Sequence, residues 1–345
     1  MKLLMITRKV DRHEHLAGFI YNWVKKIGEQ VEELRVISWQ QGDSSGLPGN
    51  IKVFSLKTEQ NKIIKMINFW RLVKKNIKEV DGVFCHQMPI YTILAAPLAK
   101  LYRKKIISWY MHRQINLAVR LMEKLTDNVL SASKESFRLP SKKLIVTGHG
   151  IDVDLFKPVA RKENKTFQIL SVGRISPTKD YESMIKAMDI LNKKGINNIE
   201  LTIIGQAGLA GHGIYFNNLQ QMIEKMGLAE KIKFIGSRPN WQIPRYLQSS
   251  DLFINMSGTG SIDKAVLEAM ACECLVLTAN SAFAAILPAI FMSEPNQPEK
   301  LAEKIIGIIS LAEVDKNKFR SQFREEVVKN HNLDNLVKKI IKQYV

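Results

Sequence analysis

At 345 residues the chain is longer than one typical core and suits two domains of ordinary size. With 46% hydrophobic and 24% charged residues, its composition is that of a globular protein and excludes a disordered or fibrous one. Lys and Arg outnumber Asp and Glu by 51 to 33, a net charge of +18, which suits either an anionic partner or a merely solubilising lysine surface.

The excess is uneven, because residues 1–155 hold 26 basic and 14 acidic side chains. Phospholipid headgroups, a phosphate-bearing acceptor and nucleic acid are the candidate partners of that half. Three cysteines (Cys85, Cys272, Cys274) are too few and too scattered for a disulfide framework and suit a reducing compartment. Cys272 and Cys274 lack a second Cys or His pair at a zinc-site spacing. The opening MKLLMITRKV has an apolar run far shorter than a signal-peptide core and reads as a strand. No stretch approaches the roughly 18 apolar residues of a spanning helix.

Residues 2–6 are a predicted strand, 7–14 a polar loop and 16–30 a helix. An α/β domain places ligand-facing groups beyond the carboxyl end of its first strand, which makes Asp11, His13, His15 and Gly18 candidates. A solvated loop explains each of them equally. Strands are predicted at 34–39 and 51–54, around the turn-rich GDSSGLPGN.

Apolar residues at 63, 66, 67, 70, 73, 77 and 80 then form a helical stripe, with Lys62, Lys65, Arg71, Lys74, Lys75 and Lys78 over much of the remainder. Such a helix suits an anionic membrane surface or a core position with a solvated lysine face. Strands at 82–85 and 105–109 end at His86 and near His112. Two histidines in equivalent positions past parallel strands would share a ligand crevice. Strands at 128–130 and 143–146 complete a Rossmann-like half without a GxGxxG fingerprint.

At 148–158, GHGIDVDLFKP, the periodicity stops, and the stretch up to 165 reads as a hinge. Asp152 and Asp154 form an Asp-x-Asp pair, though an interdomain turn is a poor place for a metal clamp. A second α/β set follows, with strands at 167–172, 201–204, 231–235, 251–255 and 275–278 and helices from 297 to 345. After the first of these strands, a glycine turn carries Arg174 and Lys179, two cations suited to a diphosphate. Gly205 and Gly236 end two further strands and allow a ligand or backbone to come close.

The stretch 257–276, SGTGSIDKAVLEAMACECLV, reads as a glycine-bearing turn, a helix and the start of a strand. Its helix N-terminus would face an anion. Glu268, among apolar neighbours, needs a partner such as a ligand hydroxyl. An ordinary βαβ crossover with a salt-bridged Glu fits this stretch as well.

In order along the chain, GHGID, SVGRISPTKD, LTIIGQAG, IKFIGSRP, SSDLFINMS and VLEAMA resemble the retaining GT-B glycosyltransferases of family 4, "group 1". The resemblance covers nearly all of the second half, while the first half resembles the family in layout. It implies an α/β protein of two Rossmann-like domains facing an interdomain cleft. Residues 1–155 would bind the acceptor, 156–330 a nucleotide-diphosphate sugar, and 331–345 would form a helix crossing back to the first domain.

The same resemblance puts Arg174 and Lys179 on the diphosphate, Glu268 on the ribose hydroxyls and His112 near the transferred sugar. Gly173, Gly205, Gly236, Arg238, Gly260, Ser261, Asp263 and Lys264 would border the donor. Asp11, Gly18 and His86 would lie on the acceptor side. The implied chemistry moves a sugar to an acceptor hydroxyl with retention, in polysaccharide or glycolipid synthesis, with no metal or other cofactor. Closure about 148–158 would exclude water.

The basic first domain suits a lipid-linked acceptor at an anionic membrane face, in a cytoplasmic or peripheral protein. No aromatic-basic platform points to nucleic acid. One position departs from the pattern: the family commonly has Glu-x7-Glu, and the first Glu is here Gly260, with Asp263 and Lys264 nearby. Glu273 and Leu275 also stand where small residues and proline are common. A sugar-nucleotide epimerase and a non-catalytic sugar-nucleotide-binding subunit are the alternatives.

Overall fold

The computed structural model describes residues 1–15, 17–57, 61–161, 164–208 and 211–345. It contains two compact units, Met1–Asp152 with Asn330–Val345, and Val153–Lys329. Among the described residues no helix is long and apolar enough to cross a membrane.

The first unit contains β1 (Lys2–Lys9), α1 (Phe19–Gly28), β2 (Glu33–Gln40), β3 (Ile51–Ser55), α2 (Lys62–Ile77) and β4 (Gly82–His86). It continues with α3 (Pro89–Leu101), β5 (Lys105–Trp109), α4 (Leu117–Leu125), β6 (Asn128–Ser131) and β7 (Leu144–Val146). The strands form one parallel sheet in the order β3-β2-β1-β4-β5-β6-β7. Because side chains alternate across a strand, Leu3 and Met5 of β1 enter one core while Leu4 and Ile6 enter the other. The sheet is thus covered on both faces, which is why its central strands read as continuous apolar runs.

Helix α1 covers the first face with Ile20, Trp23, Val24 and Ile27, spaced at three and four residues. Helix α2 presents Phe69, Val73 and Ile77 to the other face and is capped by the Asn61 side chain, which accepts from the Ile63 N–H. Two boundaries differ from the sequence reading. Strand β1 runs on through Lys9 into the predicted polar loop, pairing Thr7 with Ser38 and Lys9 with Gln40. The Thr7 side chain is fully buried and shares a 3.0 Å hydrogen bond with His86 Nδ1, so a polar residue continues the strand. The helix predicted at 16–30 spans Phe19–Gly28, its predicted first residue lying outside the described ones.

The last helix, Leu333–Ile341, belongs to this unit, where Leu333, Leu336, Val337 and Ile340 join the α1 side of the core. Ile151 forms a parallel bridge with Asn332, the residue just before this helix: its N–H donates to His331 O at 2.7 Å and its carbonyl accepts from Leu333 N at 2.8 Å. Gly148 has φ +82°, and a Cβ there would lie 2.0 Å from Asn330 O. That glycine therefore serves close backbone approach.

The second unit contains β8 (Phe167–Val172), α5 (Tyr181–Lys193), β9 (Ile199–Ile204), α6 (His212–Lys225), β10 (Ile232–Phe234) and α7 (Ile243–Ser249). After them come β11 (Leu252–Asn255), α8 (Lys264–Ala271), β12 (Leu275–Thr278), α9 (Pro298–Ile309) and α10 (Glu313–Asn330). Its five strands are parallel in the order β10-β9-β8-β11-β12, so the chain reverses direction across the sheet between β8 and β11. Loops at the carboxyl ends of the strands at such a point flank a natural ligand crevice.

Candidate functional site

The loops after β8, β9, β10 and β11 bring most of the predicted donor residues of the second unit to one edge of its sheet. Beyond β8 and β9 the backbones stay paired. Gly173 N donates to Ile204 O and Ile175 N to Gln206 O, both at 3.0 Å, and Gly205 N donates to Gly236 O at 3.1 Å. A Cβ on Gly205 would lie 1.8 Å from Gly173 O, so this crossing admits only glycine. Gly236 takes φ +73°, as the turn after β10 requires.

This frame carries the cations. Arg174 is exposed, its side chain lying against Gly208, and no hydrogen bond or ion pair engages it among the described residues. Lys179 ends a short helical turn, Pro177–Lys179, and its stem packs on Gly173. Its ammonium donates to Asp263 Oδ2 at 2.6 Å. Arg238 donates to Ser237 O at 2.9 Å and to the Tyr246 hydroxyl at 3.3 Å. The Arg238 hydrogen bond pulls the Tyr246 phenol below its ordinary range against a smaller effect of burial, and Arg245 adds to the pull.

Asp263 is the hub of the β11–α8 turn. Besides Lys179 it accepts from Asn255 Nδ2 at 3.0 Å, and its other oxygen caps α8 by accepting from Ala265 N at 3.3 Å. Burial alone would raise its carboxyl. The Lys179 charge and hydrogen bond, with those from Asn255 and Ala265, outweigh burial and hold it below the ordinary carboxylate range. Helix α8 therefore starts at Lys264 with a protein carboxylate already at its N-terminus, whereas the sequence suggested a free helix end after Gly260. Gly260 itself is buried with φ +65°. Ser261 accepts from Asn280 Nδ2 through its carbonyl at 2.7 Å.

Glu268, 6% exposed, accepts from Lys264 Nζ at 3.1 Å and from Asn240 Nδ2 at 3.3 Å. Asn240 and Asn255 were missed by the sequence reading. Asn255 left a signal, a polar residue closing the apolar run Leu252–Asn255. Asn240, in a turn before α7, left none.

The candidates of the first unit do not share one environment. Asp11 pairs with Lys9 at 2.7 Å and accepts from His13 N at 2.9 Å; burial raises its carboxyl, and these bonds more than reverse that. Gly18 is the N-terminal cap residue of α1. His112 is exposed beside Tyr110, with ring centroids 5.5 Å apart.

His86 is fully buried between Trp23 and Trp109, with ring centroids at 4.7 and 5.5 Å. The register pairs His86 with Trp109, three residues before His112, so the two histidines do not occupy equivalent positions. Their separation corrects the sequence expectation: a buried ring at a strand's last residue belongs to the core. Among the described residues no group of three or more His, Cys, Asp or Glu side chains is disposed to hold a metal ion.

Two parallel α/β units, with glycine turns and cations at the strand ends of the second, define the GT-B class of fold. The chain belongs to the glycosyl transferases group 1 family, whose model matches residues 152–342. Among curated relatives, the amylovoran biosynthesis glycosyltransferase AmsK of Erwinia amylovora is 32% identical over 139 residues, covering 38% of this chain and 32% of that protein. The capsular polysaccharide biosynthesis glycosyltransferase CapH of Staphylococcus aureus is 27% identical over 154 residues, covering 44% and 41%. The chain thus matches about a third of the length of the first of these curated relatives.

Solved structures extend the likeness of fold over the whole chain. Anabaena HepE, in complex with UDP and glucose, superposes with a TM-score of 0.81 at 18% identity over 99% of both chains. Sucrose-phosphate synthase from Thermosynechococcus elongatus gives 0.79 at 13% identity, covering 99% and 98%.

Proposed function

We propose that this glycosyltransferase moves a sugar from a nucleoside-diphosphate donor to an acceptor hydroxyl, with retention and without a bound metal, in the synthesis of a surface polysaccharide or glycolipid. The observation that carries the reading is that Arg174 and Lys179 follow β8 while Glu268 lies in α8, which follows the neighbouring strand β11, the two segments being tied by the bond from Lys179 to Asp263 beside loops held by Gly173, Gly205 and Gly236. HepE, of the same fold, is known with UDP and glucose, and AmsK and CapH are named for polysaccharide biosynthesis.

In this reading the Arg174 guanidinium forks onto the diphosphate, and Lys179 exchanges part of its bond to Asp263 for a phosphate oxygen. Both cations stabilise the charge that develops as the sugar departs, an electrostatic role worth several kcal/mol in comparable sites, roughly 3–4 for one lost donor. Glu268, held by Lys264 and Asn240, receives the ribose hydroxyls. Asp263 and Lys264 take over the sugar contact that a Glu at position 260 would make. Asp11, Gly18 and His112 are assigned to the acceptor and the transferred sugar, and buried His86 to holding the end of β4. Gly260 supports a second reading, a sugar-nucleotide-binding subunit without turnover.

The test is thermal denaturation with each nucleoside diphosphate and its sugars in EDTA, wild type beside Arg174→Ala. Ligand at about 100 times its dissociation constant stabilises a protein by roughly 2.7 kcal/mol, so one nucleotide should raise the wild-type midpoint and not that of the variant. Release of that nucleotide from its sugar then separates the enzyme from a binding subunit. No response to any nucleotide would end the donor assignment.

A further inference from the structure

Helix α2 is amphipathic twice over. Its inner face is packed, yet its outer face exposes Ile63, Ile67 and Trp70 by 68%, 42% and 45%. These three stand a turn apart on one stripe. Trp70 donates its indole N–H to Leu94 O at 3.0 Å, so its polar atom is satisfied within the protein and an apolar ring is left at the surface. Ile67 and Trp70 form, with Leu94, Pro97 and Leu98 of α3, a pocket of about 390 Å³ whose wall is completed by Arg71 and Lys74.

Apolar side chains gathered in this way mark a surface that something covers. Charge decides what. Neither α2 nor α3 contains an acidic residue, while Lys62, Arg71, Lys74 and Lys75 are exposed along α2. A second copy of the same face would set these cations against one another. A polyanionic surface with an apolar interior matches both halves of the pattern.

We infer that the α2–α3 face docks on an anionic phospholipid bilayer. Ile63, Ile67 and Trp70 enter the boundary between headgroups and acyl chains, the pocket takes an acyl chain, and Arg71, Lys74 and Lys75 meet the phosphates. This docking stands apart from the transferase reading, because it needs neither donor nor turnover.

Flotation of the full chain with vesicles tests it, using phosphatidylcholine alone and phosphatidylcholine with about 30% phosphatidylglycerol. Wild type should float with the anionic vesicles only, and less so as salt rises. Ile63→Ser with Ile67→Ser removes two exposed side chains, which leaves the circular dichroism spectrum unchanged and lowers binding about tenfold or more. Phospholipids brominated in the acyl chain should quench wild-type fluorescence, and the quenching should vanish in Trp70→Phe. Failure of wild type to float with anionic vesicles overturns the inference, as does equal binding by the double variant. A concentration-dependent dimer lost in the double variant would assign the face to a second copy and overturn it as well.

Discussion

Lys179 and Asp263 lie 84 residues apart, and their 2.6 Å bond was not legible in a sequence that presented each as an isolated charge. Lys179 could be read only as a cation after a glycine turn, and Asp263 only as an acid near a helix start. Their pairing makes Asp263→Asn informative. Asn keeps the helix cap while replacing the oxygen that accepts from Lys179 and Asn255 with an NH2 donor, so the charge and both of those hydrogen bonds are lost. Both side chains are slightly exposed, so the loss at neutral pH should be about 1–3 kcal/mol.

The sign with pH follows from the lowered carboxyl. Its contribution is fully present above the unfolded value of 3.8 and is lost as pH falls through the still lower folded value, so wild-type and variant stabilities should converge only in strong acid. Removing the anion also leaves the Lys179 charge to a diphosphate. Nucleotide affinity in Asp263→Asn should therefore rise a few-fold, as calorimetric titration would measure. A fall would separate Lys179 from the diphosphate.

Gly260 needs a paired design. Its φ of +65° costs any other residue about 1–2 kcal/mol, so Gly260→Glu confounds chemistry with strain. Gly260→Ala carries the strain alone. Both variants should melt earlier, Gly260→Glu by at least as much as Gly260→Ala because position 260 is buried, and a gain in turnover confined to Gly260→Glu would then belong to the carboxylate.

Among the elements, the legible ones were those whose local and global signals agree. Apolar runs located the strands of both sheets, and Gly205 and Gly236 marked two strand ends that the structure joins by the hydrogen bond from Gly205 N to Gly236 O. Legibility failed where tertiary context overrode composition. Thr7 and Lys9 extend β1 because Ser38 and Gln40 are there to pair with, and a polar tripeptide gives no hint of that. His86 looked like a crevice residue because strand ends usually carry ligands, but three-dimensional packing surrounds it with Trp23 and Trp109.

Gly205 yields the prediction proper to this scale. Gly205→Ala forces the β8 and β9 loops apart at a backbone atom that no rotamer can relieve. The expected loss is about 1–3 kcal/mol, with nucleotide binding weakened more than in a surface control because Arg174 rides on one of those loops. Unchanged nucleotide affinity in a folded Gly205→Ala protein would show that the ligand does not depend on this frame.

At the scale of the molecule, the first unit is discontinuous in sequence. Its sheet is complete by residue 146, yet its core on the α1 side includes Leu333, Leu336, Val337 and Ile340, each at most 1% exposed. Burying a side chain of this size is worth about 1.5–3 kcal/mol, so these four contribute roughly as much as the whole net stability of an ordinary domain, about 5–15 kcal/mol. Tyr344 adds a bond from its hydroxyl to Val83 O at 2.7 Å, and Gly82 is left without a side chain beneath that ring.

A chain ending at residue 329 should therefore lose the first unit. The second unit, whose strands β8 to β12 and flanking helices are all retained, should stay folded. Limited proteolysis would read this as a resistant fragment confined to residues 153–329, with the first unit digested early. Tyr344→Phe, which removes a single hydrogen bond, should cost only about 1 kcal/mol and leave both units resistant. If the truncated chain protected both units equally, the last helix would be an accessory to the first unit and the apolar bookkeeping for its four buried residues would be wrong.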